Sequence, residues 1–175
     1  MGQHAHTGQA MILAEELNAD WDSIGVVTAS NHDEFKNPLL FNMQRTDGSK
    51  SIMAFWEKLR IVGAGTREVL LRAAAKEWKV PKDECVADKG YIKHSKSGRE
   101  FSYGNLAHAA SQLSPPENPI LKTSDQFKLI GKSVPKLHTP DKVSGKAEFG
   151  TDVRIPGMLY AAICQSPVFG GEIKS

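Results

Sequence analysis

What the sequence has little of narrows its class first. Only two of its 175 residues are cysteine, Cys85 and Cys164, so no disulfide framework is available, and their separation matches no zinc-ligand spacing. Charge of one sign is also missing. The 22 Lys+Arg nearly balance 20 Asp+Glu, a net of +2, which removes the electrostatic case for nucleic acid or an anionic membrane as partner. No apolar run approaches the roughly 18 residues of a membrane helix, so no membrane insertion is expected. Residues 1–8 have neither a basic region nor an apolar one, so they do not read as an export signal. A myristoylation motif wants Ser or Thr where His6 stands. No internal repeat or low-complexity tract is present. What remains is 40% hydrophobic and 24% charged, an ordinary globular balance, and with no export signal read in it the chain reads as cytoplasmic as it stands, its compartment otherwise open.

Periodicity supplies the elements. Ala10, Leu13, Ala14 and Leu17 repeat at helical spacing and predict a helix over 7–19, with Thr7 as its N-cap and Asn18-Ala19-Asp20 as its exit. Ile24–Thr28 is short and β-branched and predicts a strand. A long polar loop follows to Gly48, of the kind that usually carries function or disorder. Ile52, Phe55, Leu59, Val62, Val69 and Ala73 predict the longest helix, 51–79, ended by Pro81. Its two central glycines, Gly63 and Gly65, cost about 1 kcal/mol each and point to close packing more than to a break. Residues 84–87, 91–94 and 99–102, separated by Gly-containing turns, predict a three-stranded meander, after which Ser102 caps a short helix to about Leu113. Pro115, Pro116 and Pro119 mark an extended linker. Beyond it, short strands are expected at 127–130, 147–149 and 158–164, and the chain stops soon after the last. The fold class is α+β, with helices on small mixed or antiparallel sheets.

Few residues carry an evident chemistry. His4 and His6 form an H-x-H pair suited to a divalent metal, but no third ligand stands near and a native site is not expected. Gly2-Gln3, just before a helix, is a turn able to present backbone N–H groups to an anion. Thr46-Asp47-Gly48-Ser49-Lys50-Ser51 precedes the long helix and reads locally as a serine cap with a flexible approach. A phosphate-binding turn is the alternative it leaves open, outside the P-loop frame. His32-Asp33-Glu34 is a solvated charge run, and His94, His108 and His138 lie in separate elements with no nucleophile elbow or Ser-His-Asp order.

Beyond spacing, the sequence resembles a family. Met1–Thr7 with Ala14-Glu15-Glu16-Leu17-x-x-Asp20-Trp21 resembles the "MGQG-x-x-T … AEEL-x-x-DW" segment of molybdenum hydroxylase large subunits. Asn37-Pro38, Met43-Gln44, Gly48-Ser49, Phe55-Trp56-Glu57-x-Leu59-Arg60, Trp78-x-Val80-Pro81 and Glu84-Cys85 continue the pattern. Ile130-Gly131-Lys132, Thr139-Pro140-x-Lys142-Val143-x-Gly145, Phe149-Gly150-x-Asp152-Val153 and Pro156–Ala161 resemble the start of an α/β hammerhead domain. The chain is similar to the large (beta) subunits of isoquinoline 1-oxidoreductases and to related aldehyde dehydrogenases of the xanthine dehydrogenase/aldehyde oxidase superfamily.

The resemblance implies a molybdenum held by a pyranopterin, hydroxylation of N-heteroaromatics or oxidation of aldehydes, and electrons leaving through an iron–sulfur subunit. It assigns Gly2 and Gln3 to the turn beside the cofactor, and Gly48, Ser49 and Ser51 to the loop by the pterin. It implies a division into part of a molybdopterin-binding domain (1–113), a linker (114–126) and the start of a hammerhead (127–175). The family's catalytic glutamate falls late in its polypeptide, so no catalytic residue and no metal ligand is assigned here. His4 stands where the family has glycine, and Asp47 replaces a glycine of the Ser-rich loop. The chain is expected to be a fragment or split-gene part of such an enzyme, binding no cofactor and inactive alone, with the remainder of its own subunit and the iron–sulfur subunit as partners. Family members are periplasmic. The alternatives are a stand-alone interaction module, homo-oligomeric through 147–175, and a small divalent-metal binder through His4 and His6.

Overall fold

The computed structural model describes residues 2–172. Its packing divides the chain into two units, one ending at Thr139 and one beginning at Pro140. Among the described residues the first unit carries three helices, α1 (Ala5–Leu17), α2 (Lys50–Trp78) and α3 (Tyr103–Ser111), and a sheet of β1 (Cys85–Asp88), β2 (Tyr91–His94) and β3 (Glu100–Ser102). The sheet is an antiparallel meander in the order β1-β2-β3, with Cys85 opposite His94 and Ile92 opposite Phe101. The α+β class is thus observed.

Alternation explains the sheet's orientation. Cys85, Ala87, Ile92 and His94 face inward while Val86 and Lys93 face out. The inward face meets Val69, Leu70, Ala73 and Ala74 of α2 and Leu106 and Ala110 of α3, forming the core. α3 starts at a complete capping box: the Asn105 N–H donates to Ser102 Oγ and the Ser102 N–H donates to Asn105 Oδ1. α1 lies along the N-terminal half of α2. A Cβ on Gly63 would stand 2.8 Å from Glu16 Cβ and 2.9 Å from the Leu13 carbonyl, so this glycine is what allows the two helices to approach. α2 runs through it without a break. The other end of α1 docks on the sheet, where Asn18, left-handed at φ 54°, donates from Nδ2 to the Ala87 carbonyl and Tyr103 donates its hydroxyl to the Leu17 carbonyl.

Several expectations change. α1 begins at Ala5, so Thr7 is inside the helix, where its Oγ1 accepts from the Leu137 N–H. Residues 24–28 form no strand, because no neighbouring strand pairs with them. The strands expected at 127–130, 147–149 and 158–164 do not form either. The proline-rich stretch forms no helix or strand and is strapped down: three arginines of α2, Arg72, Arg67 and Arg60, donate to the carbonyls of Ser114, Ile120 and Lys122. The second unit contains α4 (Thr139–Val143), which straddles its boundary, and no buried residue among those described.

Candidate functional site

Two helix N-termini meet at one place. Gln3 and His4 (φ 60° and 53°) precede α1, and Gly48 and Ser49 (φ 54° and 55°) precede α2; each pair is left-handed, and neither N-cap side chain caps its helix. At these ends the Ala5 N–H donates back to the Gly2 carbonyl and the Lys50 N–H to the Asp47 carbonyl, so backbone turns rather than side chains close the helix starts. The turns are joined across 46 residues by one hydrogen bond, from the Ser49 N–H to Gln3 Oε1 at 3.2 Å. That bond leaves the Gln3 amide NH2 as a donor. Gly2, Gln3, Gly48 and Ser49 are exposed, while Ser51, in the first turn of α2, is buried and its carbonyl accepts from Gln9 Nε2. All five residues singled out in the sequence thus lie around one surface feature. His4 sits in a left-handed position that glycine adopts without strain, and its Nε2 lies 3.1 Å from Lys136 Nζ. Asp47 pairs with Arg45, so its charge is compensated.

Behind these turns lies a cavity of about 440 Å³ between α1, residues 24–29, the loop 35–46 and the start of α2. Ala10, Leu13, Ala14 and Leu17 line it, which accounts for the stripe that predicted α1. Asn37 stands in its wall; Oδ1 accepts from the Leu39 N–H at 2.9 Å, and the buried Nδ2 has no partner.

Two residues that the spacing did not reveal tie α1 to α2 and to residues 122–130. Glu15 and Glu16 have fully buried side chains. Glu16 pairs with Arg60 and Arg67 of α2 and accepts from the Lys122 N–H. Glu15 pairs with Lys122 at 2.5 Å, and its Oε2 accepts from the N–H groups of Lys128, Leu129 and Ile130. Burial pushes the Glu15 carboxyl up, but Lys122 and the Leu129 and Ile130 amides outweigh it and hold it below the ordinary range. The only sequence signal for the pair was the "AEEL" resemblance, because adjacent glutamates in a helix otherwise read as solvent-facing.

A further polar line crosses the far end of the sheet. His94 Nδ1 lies 2.7 Å from Ser97 Oγ, and His94 Nε2 lies 2.9 Å from Glu84 Oε2. Lys96, first, and then His94 hold the Glu84 carboxyl below its usual range. The spacing of 84, 94 and 97 did not disclose this, since the β1–β2 pairing is what brings Glu84 to His94. Among the described residues no group of three or more His, Cys, Asp or Glu is placed to hold a metal ion, and no helix is long and apolar enough to cross a membrane.

No family model matches the chain. It is 34% identical over 97% of its length to the beta subunit of an isoquinoline 1-oxidoreductase from Brevundimonas diminuta, covering 26% of that protein. It is 29% identical over its whole length to a membrane-bound aldehyde dehydrogenase of Gluconacetobacter polyoxogenes, whose name carries pyrroloquinoline quinone, covering 22% of it. It is 28% identical over 98% of its length to a nicotinate dehydrogenase subunit from Pseudomonas putida, covering 14%. The chain thus spans about a quarter or less of these relatives, and along its length it resembles an N-terminal segment of a molybdenum-enzyme subunit.

Proposed function

We propose that the chain is one wall of the cofactor cradle in a molybdopterin-dependent oxidoreductase, completed by the remainder of the same subunit and served by an iron–sulfur subunit. The observation that carries this is the Ser49 N–H to Gln3 Oε1 bond, which gathers two helix N-termini into one donor-rich surface. The residues fit an anionic, hydrogen-bonding group. The Gln3 amide and the Ser49 hydroxyl are donors, a Cβ on Gly2 would meet nothing within 4 Å, and one on Gly48 would meet only the Lys50 side chain. The carboxylate nearest them, Asp47, is neutralised by Arg45.

In this reading Gly2, Gln3, Gly48 and Ser49 would hold the pterin and its phosphate, and Ser51 would fix the first turn of α2. The bound group supplies two-electron oxidation of the substrate at carbon. This chain binds and orients and carries no catalytic residue for that oxidation, so alone it does not perform it and retains neither molybdenum nor pterin. Residues 127–175 would open the hammerhead. The substrate class is an N-heteroaromatic or an aldehyde, following the names of the relatives. Sequencing the source DNA on both sides of the segment tests the assignment. Continuation into a longer hydroxylase supports it, and isolated start and stop signals with no hydroxylase nearby overturn it.

One observation favours a second reading, an oligomerising interaction module. Ile155, Leu159, Tyr160, Ile163, Val168 and Phe169 are all exposed, more apolar surface than a monomer usually leaves uncovered. Light scattering of the purified chain decides: a dimer that deletion of 147–175 abolishes supports this reading, and a monomer at micromolar concentration removes it.

A further inference from the structure

The line through Glu84, His94 and Ser97 lies outside the cofactor wall and runs from the buried His94 to the surface at Ser97, and its atoms are ordered for chemistry. Glu84 Oε2 lies 2.9 Å from His94 Nε2, and His94 Nδ1 lies 2.7 Å from Ser97 Oγ. A carboxylate on one ring nitrogen holds the proton there and leaves the other nitrogen free to accept from the hydroxyl. The ring is 5% exposed and Trp78 lies beside it at 6.1 Å, so its orientation is held. Ser97 is at the surface of the β2–β3 turn. The Arg99 Nε donates to Ser97 Oγ at 2.8 Å, placing a cation beside any negative charge that develops there.

Closing the turn does not require this line. The Gly98 N–H to His94 carbonyl and His94 N–H to Arg99 carbonyl bonds close it, with Gly98 at φ 68°, and the Ser95 N–H to Glu84 carbonyl bond ties it to the preceding segment.

We propose that Ser97 is a nucleophile activated by His94 and Glu84, able to take an acyl group from small activated esters. Oγ forms a bond to the acyl carbon, and the carbon–oxygen bond to the leaving group breaks. The Ser97 proton passes to His94 Nδ1, the Nε2 proton stays on the ring and donates to the Glu84 carboxylate, and the leaving group departs as its oxyanion. The charged groups around the ring are Glu84, Lys96 and Arg99. Ser97 is exposed on its turn, so the site selects for reactivity and small size rather than for acyl shape.

The test treats the full chain with 4-nitrophenyl acetate and maps the adducts by mass spectrometry, with hydroxylamine separating serine esters from the amide formed at Lys96. Ser111, an exposed serine on α3, is the internal reference. Ser97 should be acetylated about 100-fold faster than Ser111 or more. Glu84→Gln should lower the Ser97 rate about tenfold with the fold intact by circular dichroism, and His94→Gln should lower it further. Ser97→Ala should remove only that adduct. Acetylation of Ser97 at the rate of Ser111, or a rate that Glu84→Gln leaves unchanged in a folded chain, overturns the proposal. Neither result touches the cofactor reading, which rests on other residues.

Discussion

Residues 2–139 and 140–172 are both rich in apolar side chains, yet one stretch builds a core and the other buries nothing. In the first, the stripe on α2 meets a sheet face of matching alternation, and Gly63 lets α1 close on α2. In the second, Phe149, Val153, Ile155, Leu159 and Tyr160 are exposed and no strand forms. Hydrophobicity stabilises a fold only where a complementary surface receives it. In the cofactor-wall reading, the remainder of the enzyme's large polypeptide provides that surface.

The contrast predicts a graded series of effects. Largest is Glu16→Ala, which leaves Arg60 and Arg67 without their buried partner. Chemical denaturation should show a loss of about 3–5 kcal/mol. A loss under about 1 kcal/mol would mean that the ion pairs contribute little to the first unit.

Next is Glu15→Gln, with an expected loss of about 2 kcal/mol at pH 7. The Glu15 carboxyl is depressed on folding, so its contribution is fully present above the ordinary value of 4.5 and fades as pH falls through the lower folded value. The gap between wild type and variant should therefore close in acid, and a gap constant from pH 7 down to acid unfolding would contradict the assignment.

The two glycines of α2 separate more finely. Gly63→Ala should cost about 1–2 kcal/mol, because its Cβ overlaps Glu16 and the Leu13 carbonyl. Gly65→Ala, whose nearest neighbour is Pro115 Cβ at 4.0 Å, should gain up to about 1 kcal/mol of helix propensity. Equal effects at both positions would remove close helix approach as the explanation. Smallest is deletion of 140–175, which should leave the thermal midpoint of the first unit unchanged; a clear drop would show that its core extends further than described.

Reading ahead from the sequence worked where local physics decides. The period of α2, the turns of the meander and the Ser102 cap each carry their own signal, and all appear within a residue or two of expectation. It failed where the outcome depends on a distant partner. Ile24–Thr28 and Met158–Cys164 have strand composition but nothing to pair with. Glu15 and Glu16 find cations and amides 44 to 115 residues away, which no spacing rule discloses. The candidate site shows the same split. Each turn was visible alone as a weak anion signal, and the contact between Gln3 and Ser49 exists only in the folded chain.

In the cofactor-wall reading this surface holds a molybdopterin in the complete enzyme. The most direct measurement is the molybdenum and pterin content of the longer polypeptide containing this segment, as wild type and as Gln3→Glu. The variant keeps an acceptor for the Ser49 N–H but sets a negative charge against an anionic ligand. Equimolar molybdenum and pterin in the wild type, falling about tenfold in the variant at an unchanged denaturation midpoint, is the predicted result. Pyrroloquinoline quinone in place of pterin, or full molybdenum loading in the variant, would contradict it.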